Sequence, residues 1–351
     1  MTASANKPAD PAAHLAAVID AAPRFRCAHL PTPLEPLQRL SAHLGGANLW
    51  LKRDDCTGLA TGGNKARKLE FLIGEAHAQG ADTVVTHGAL QSNHVRQTAA
   101  AAAMAGLRCE ALYEHRVDAA VDPDYAESGN VLLTRLLGAG RRDFPKDTDM
   151  DAALAERAAE LKAEGAKPYL IPGGGSNTVG ATGYANCALE LANQAAQMNL
   201  KIDHLVHATG STGTQAGLVA GCHALGWPFP VLGIGVRLPQ APQEEKVFAL
   251  ARATAAHLQV AEELPRESVR ANCDYVGDGY GLPTAGMIEA VELLARLEGV
   301  LLDPVYAGKG MAGLIDLVRR GFFAPDANVV FLHTGGAAAL FGYRGVFGGG
   351  D

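Results

Sequence analysis

Short apolar runs alternate with alanine-rich or 3.6-periodic stretches along almost the whole chain. The runs that read as strands are Asn48–Lys52, Thr83–His87, Cys109–Tyr113, Tyr169–Pro172, His204–Ala208, Val231–Val236, Leu301–Val305 and Val329–His333. Helices are expected over Lys65–Gln79, His94–Ala105, Ala152–Glu164, Ala181–Gln197, Gln215–Ala224, Glu245–Leu258, Thr284–Leu297 and Met311–Arg319. This order predicts an α/β protein with mainly parallel strands flanked by helices. Ligands in such sheets gather at the carboxyl ends of the strands. The segment Glu114–Thr148 is polar, rich in Asp and Arg, and reads as a surface excursion.

A length of 351 residues suits two domains or one large α/β unit. Charged residues at 19% and hydrophobic residues at 48% describe a soluble globular enzyme, not a disordered tail. The net charge of −7, without a basic stripe, argues against nucleic acid as a partner. No run approaches the ~20 apolar residues of a membrane helix. The six cysteines are scattered with no CxxC pair, which excludes a zinc ribbon or disulfide framework. His87, His94 and His333 show no metal spacing and HExxH is missing, so no catalytic metal is expected. The polar opening (residues 1–13) and the interrupted HLAAVIDAA after it show no signal peptide, so a cytoplasmic location is expected.

Several strand-to-helix corners carry candidate chemistry. In Thr61-Gly-Gly-Asn-Lys65, a lysine sits at the mouth of a sheet. It reads as an ordinary helix-start residue or, if desolvated, as an amine that condenses with an aldehyde. Gly210-Ser-Thr-Gly-Thr214 follows an apolar strand and opens a helix, so its N–H groups and hydroxyls form an anion cradle. It lacks the lysine of a nucleotide P-loop and the GxGxxG pattern, and a cradle without its own lysine suits a phosphate monoester. Gln91-Ser-Asn-His94 either caps a helix or receives a substrate carboxylate. Tyr280 and Tyr306 lie beside a glycine turn and a strand end, where tyrosines also pack half-buried for structural reasons. Thr334 ends the strand NVVFLH.

An amine, a monophosphate cradle and a strand-end hydroxyl together fit pyridoxal 5′-phosphate. The motifs GGNKARKLEF, GALQSNHVRQTAA, IPGGGSN, HATGSTGTQAGL, GYGLPT, LLDPVYAGKGMAGLIDLVRRGFF and FLHTGG resemble the D-cysteine desulfhydrase and 1-aminocyclopropane-1-carboxylate (ACC) deaminase family, over Phe25 to Tyr343. The resemblance implies a fold-type II, tryptophan-synthase-β-like enzyme with two open, twisted, mainly parallel sheets. It implies a large cofactor-binding domain from residues 1–68 and 176–351, and a smaller one from 69–175 that closes over the cofactor. It makes Lys65 the Schiff-base lysine, with Lys309 the lesser candidate. Ser92 and Asn93 would meet the substrate carboxylate and the cofactor ring oxygen, with His94 beside them. Gly210, Ser211, Thr212, Gly213 and Thr214 would hold the phosphate, Thr334 the ring nitrogen, and Tyr280 and Tyr306 would line the reacting centre. A homodimer acting on a small amino acid is expected.

The chain departs from the ACC deaminase branch in having Ala307, Thr334 and His94 where that branch has Glu, Leu and Gln. Without a nearby carboxylate the ring nitrogen only hydrogen-bonds a hydroxyl, which suits β-elimination better than ring opening. The stretches DDCTGLATGGNK, IPGGGSN, GYANCALEL and YVGDGYG resemble L-cysteate sulfo-lyases more than D-cysteine desulfhydrases. The expected reaction therefore removes the α-proton with Lys65 or Ser92, according to the hand of the substrate. It then expels sulfite, or alternatively sulfide, and yields pyruvate and ammonia. A solute-binding protein and a nucleotide-dependent kinase or dehydrogenase are the other classes weighed. The absent leader and the missing nucleotide motifs disfavour them.

Overall fold

The computed structural model describes residues 10–117, 122–227, 230–260 and 263–347; most of the polar opening lies outside them. The chain begins with α1 (Pro11–Ala21), β1 (Leu34–Pro36), α2 (Gln38–Leu44), β2 (Asn48–Arg53) and α3 (Lys65–Ala78). Then come β3 (Thr83–Ala89), α4 (Asn93–Ala105), β4 (Arg108–Glu114), α5 (Gly129–Leu136), β5 (Gly140–Phe144), α6 (Met150–Ala163) and β6 (Pro168–Ile171). The rest comprises α7 (Thr178–Gln197), β7 (His204–Thr209), α8 (Gly213–Ala224), β8 (Val231–Gly235), α9 (Gln240–His257), β9 (Val269–Asn272), α10 (Ala285–Glu298), α11 (Ala307–Arg319), β10 (Asn328–His333) and α12 (Arg344–Phe347).

Two sheets result. One runs β1-β2-β10-β7-β8-β9 and is parallel except where β1 meets β2. The other runs β5-β4-β3-β6, is wholly parallel, and draws every strand from residues 83–171. Helices cover both faces of the first sheet, so its central strands are apolar on both sides. Along β10, Val329 and Phe331 pack with Met311 and Leu314 of α11, while Val330 and Leu332 pack with Tyr184 of α7 and Leu218 of α8. That alternation is the period of two of a pleated strand. In the second sheet Val84 meets Ala99 and Ala100 of α4, and Val85 meets Leu154 and Leu161 of α6.

Helix starts follow local chemistry. Asp149 accepts the Asp151 and Ala152 N–H groups to cap α6, and Asn177 and Thr284 cap α7 and α10 in the same way. Helix α3 is fixed from behind by a buried ionic cluster. Its Arg67 donates to Asp54 (2.8 Å) and Glu190 (2.8 Å), Lys52 pairs with Glu190, and the Tyr184 hydroxyl donates to Asp54 (2.6 Å).

Two expectations are corrected. Leu301–Val305 is not a strand: Pro304 lacks a donor, and the Asp303 carboxylate accepts the N–H groups of Val305, Tyr306 and Ala307. The segment therefore turns into α11, which starts four residues before the expected Met311. The polar stretch Glu114–Thr148 is not a mere excursion, since it contains α5 and β5, an edge strand paired with β4. The short strands β1 and β9 and the helices α1 and α2 carried too little periodicity to be expected.

Candidate active site

Lys65 opens α3 after a tight loop. Thr61 and Gly62 take left-handed φ values of 75° and 72°, and a Cβ on Gly62 would lie 1.9 Å from the Asp55 carbonyl oxygen. Arg96 of α4 reaches into this loop: its Nη1 donates to the carbonyls of Leu59 (3.3 Å), Ala60 (2.7 Å) and Gly62 (2.7 Å). The loop is thus closed around a buried guanidinium. Lys65 is 7% exposed, and its ammonium donates to Asn64 Oδ1 at 3.2 Å. Burial pushes its pKa down to about 8, with the Asp303 charge opposing and Arg96 assisting.

Asn64 joins the motifs. Its amide donates to Thr214 Oγ1 (3.1 Å), and its backbone N–H donates to the Thr334 carbonyl (2.9 Å). Asn93 Nδ2 approaches its Oδ1 at 3.5 Å. Ser92 caps α4, accepting the Val95 N–H at 3.3 Å, and still lines the cavity in front of Lys65. Gln91, by contrast, is spent on the backbone of residues 125–130. His94 faces the cavity as a neutral ring. Burial, with Lys65 and Lys68 nearby, holds its pKa well below the ordinary value. The Thr86 hydroxyl donates to the Ile171 carbonyl, so His94 Nε2 must be the donor to Thr86 at 2.8 Å. His94 therefore brings no positive charge to a substrate.

The cradle follows β7. Thr212 has a φ of 63° and its side chain makes no capping bond; Ser176 Oγ accepts the Gly213 N–H (3.2 Å), and the rest of the first turn of α8 is open to an anion. The sequence motif presents this cradle as lacking a lysine, and the fold corrects that reading. Lys68, one turn along α3, is fully buried, donates to the Gly174 carbonyl at 2.9 Å, and lies 2.9 Å from where a Cβ on Gly213 would sit. Asn64, Lys68 and Arg96 were all missed. Their only signal was position, within the GGNK and QSN motifs or one turn beyond them.

The Tyr280 and Tyr306 hydroxyls share a short hydrogen bond, with ring centroids 5.8 Å apart. Lys65, Ser92, Asn93, His94 and both tyrosines line one cavity of about 380 Å³, together with Gly210, Ser211 and Thr212. An adjoining cleft adds Thr214 and Thr334. Gly213 lines neither; it forms the floor beneath them, against Ser176 and Lys68. Lys309 stands outside both, its ammonium donating to the Val276 and Gly279 carbonyls (2.6 and 2.8 Å) and so tethering the loop that carries Tyr280. A carboxylate does lie near, contrary to expectation. Asp303 is buried beside Gly336, but its oxygens are committed to the three N–H groups at the start of α11.

The profile of the family described as pyridoxal-phosphate dependent enzyme matches residues 27–335. The chain belongs to that family. It is 46% identical over 322 residues to the D-cysteine desulfhydrase of Salmonella newport (strain SL254), covering 92% of this chain and 96% of that one. The protein of the same name from Salmonella choleraesuis (strain SC-B67) matches equally. The crystal structure of an ACC deaminase homologue superposes with a TM-score of 0.85 at 35% identity, covering 95% of this chain and 98% of the other. The structure of O-ureido-L-serine synthase, at 17% identity and a TM-score of 0.65, shares the fold. The fold-type II architecture and the pyridoxal-phosphate cofactor thus stand as expected. These relatives carry the name of the alternative expected from the sequence, D-cysteine desulfhydrase, and not that of the L-cysteate sulfo-lyases to which the short motifs pointed. Among the described residues, no helix is long and apolar enough to cross a membrane.

The site fits the cofactor on its own chemistry. A helix start whose N-cap side chain makes no bond suits a phosphate. So does the Lys68 amine behind it, which burial and Lys65 hold well below the usual lysine pKa and which an anion would charge. The desolvated Lys65 amine suits an aldehyde.

Proposed function

We propose that this chain is a pyridoxal-phosphate-dependent carbon–sulfur lyase of the D-cysteine desulfhydrase type, releasing sulfide, pyruvate and ammonia. One observation carries the reading: the buried Lys65 amine, with its pKa near 8, shares a cavity with the Tyr280–Tyr306 hydroxyl pair. When bound, the cofactor supplies an electron sink for negative charge at Cα. Lys65 would hold the cofactor aldehyde, and the Gly210–Thr214 cradle with Lys68 behind it would hold the phosphate. Asn93 would hold the ring oxygen and Thr334 the ring nitrogen. Ser92, at the positive end of α4, binds the substrate carboxylate. Lys65 or Ser92 takes the α-proton, according to the hand of the substrate. The tyrosine pair hands a proton to the departing thiolate, which leaves more easily as a neutral thiol. Residues 69–175 form the smaller unit that closes over the cofactor, and the enzyme works as a cytoplasmic homodimer.

The cavity wall favours a second reading, L-cysteate with sulfite as the leaving group. Arg116, Arg237 and Lys246 line it against a single carboxylate, Asp151. Pyruvate release from D-cysteine, L-cysteate and ACC, measured side by side on purified enzyme, tests both. Sulfide with pyruvate from D-cysteine supports the first reading, and sulfite from L-cysteate the second. A larger kcat/KM for ACC than for either sulfur substrate refutes the lyase assignment.

A further inference from the structure

We propose that Lys309 and Tyr343 are positioning residues for the protonation step: they clamp the turn that carries Tyr280 and so hold its hydroxyl in register with that of Tyr306. The proposal rests on the reading of the tyrosine pair as the proton donor to sulfur.

Tyr280 stands on an irregular stretch, residues 273–284, between β9 and α10. Gly277 and Gly281 take left-handed φ values of 66° and 75° there. A stretch with such freedom does not fix the direction of a side chain by itself, so the Tyr280 ring must be aimed from outside. Three carbonyls of the stretch are held. Lys309 Nζ donates to those of Val276 (2.6 Å) and Gly279 (2.8 Å), and Tyr343 Oη donates to that of Gly281 (2.7 Å). The residues immediately before and after Tyr280 are thus each tied down. At the start of the stretch the Tyr275 hydroxyl donates to Asp316 at 2.6 Å.

Lys309 and Asp316 belong to α11, the helix that has Tyr306 as its N-cap. The turn is therefore bound to the same helix that presents the partner hydroxyl, and the two phenols keep their spacing as one body. Lys309 and Tyr343 are fully buried, Tyr343 with its ring edge-on to Tyr125 at 5.6 Å. Neither lines the cavity, so neither touches the reacting atoms. Among the described residues Lys309 forms no ion pair, and burial lowers its pKa to about 8 against the opposing Asp278 charge. An enclosed amine without a carboxylate costs stability that a methionine of similar length would not. What it gives in return is its hold on the two carbonyls.

The test compares two leaving groups on holoenzyme. In D-cysteine the Cβ–S bond breaks with both electrons going to sulfur, which takes a proton from the tyrosine pair; solvent returns that proton before the next turnover. In β-chloro-D-alanine chloride takes the electron pair and needs no proton. The ratio of kcat/KM for D-cysteine to that for β-chloro-D-alanine therefore reads the acid apart from folding and cofactor binding. Lys309→Met should lower this ratio by about 10- to 100-fold, within the range of a general acid put out of place. Tyr343→Phe, which removes one donor and keeps the ring, should lower it by about 3- to 10-fold. Amide hydrogen exchange over residues 276–282 should quicken in both variants, by about tenfold in Lys309→Met. Equal losses on the two substrates overturn the positioning role, as does an unchanged ratio in both variants when Tyr280→Phe lowers it. If Tyr280→Phe itself leaves the ratio unchanged, the tyrosine pair is not the proton donor, and exchange decides the clamp. Faster exchange in both variants then supports it, and unchanged exchange overturns it.

Discussion

Lys65 is held in a charge state that costs the cofactor-free protein stability, and the size of that cost can be measured. Burial lowers its pKa from 10.5 to about 8. At pH 7 about one amine in ten is then neutral, against roughly one in 3,000 for a free lysine. The same shift corresponds to about 3 kcal/mol, with little discount for solvent because the side chain is 7% exposed. Between pH 8 and 10.5 the unfolded chain carries a proton on this group that the folded chain does not, so stability rises with pH there. Below pH 8 both states are protonated and the folded state bears the full cost. Cofactor-free Lys65→Met should therefore be more stable than cofactor-free wild type by up to about 3 kcal/mol at pH 7, and by about half that at pH 9.5. Urea unfolding at the two pH values measures the difference. In parallel, the rate at which wild-type apoprotein captures pyridoxal phosphate should rise about tenfold per pH unit and level off above pH 8. A capture rate still climbing through pH 10, or a Met variant less stable at pH 7, would refute the reasoning.

Two further outcomes are expected from the supporting residues. Lys68→Met removes the buried amine behind the cradle, which a bound phosphate would hold protonated, and should weaken cofactor retention by about 10- to 100-fold in equilibrium dialysis; unchanged retention would put the phosphate elsewhere. Arg96→Met strips donors from the Leu59, Ala60 and Gly62 carbonyls and should lower unfolding stability by about 3–5 kcal/mol, as read from a shift in the urea midpoint.

Most of the fold was legible because central strands buried on both faces leave continuous apolar runs, as in NVVFLH. The run LLDPV imitates one, but its Asp303 turned out to cap a helix, a distinction made only by where the chain turns in space. The edge strand GRRDF was illegible for the opposite reason: three of its five residues are exposed and polar, which looks like loop. In the site, the GGNK lysine, the QSN corner and the GSTGT turn were legible because turn glycines and caps punctuate a sequence. Arg67, Lys68 and Arg96 were not. Charged residues within a helix ordinarily face water, and only the packing of α3 against α7 and α4 shows that these are enclosed.

Each margin of the two sheets is unfit for extension. Strand β1 is three residues long and ends in Pro36, β6 begins with Pro168, and β9 is four residues long with Arg270 exposed. Strand β5 presents Arg141, Arg142 and Asp143, which Arg141–Asp143 and Arg142–Glu160 pairs hold in place. A neighbouring chain adding a strand at β5 would have to strip water from this charge, and the prolines withhold donors at two other margins. Crowded copies are thereby denied the route by which sheet proteins join into fibres, and assembly is directed to helix and loop surfaces. The run of charge that disguised β5 as loop is thus also what keeps this edge soluble.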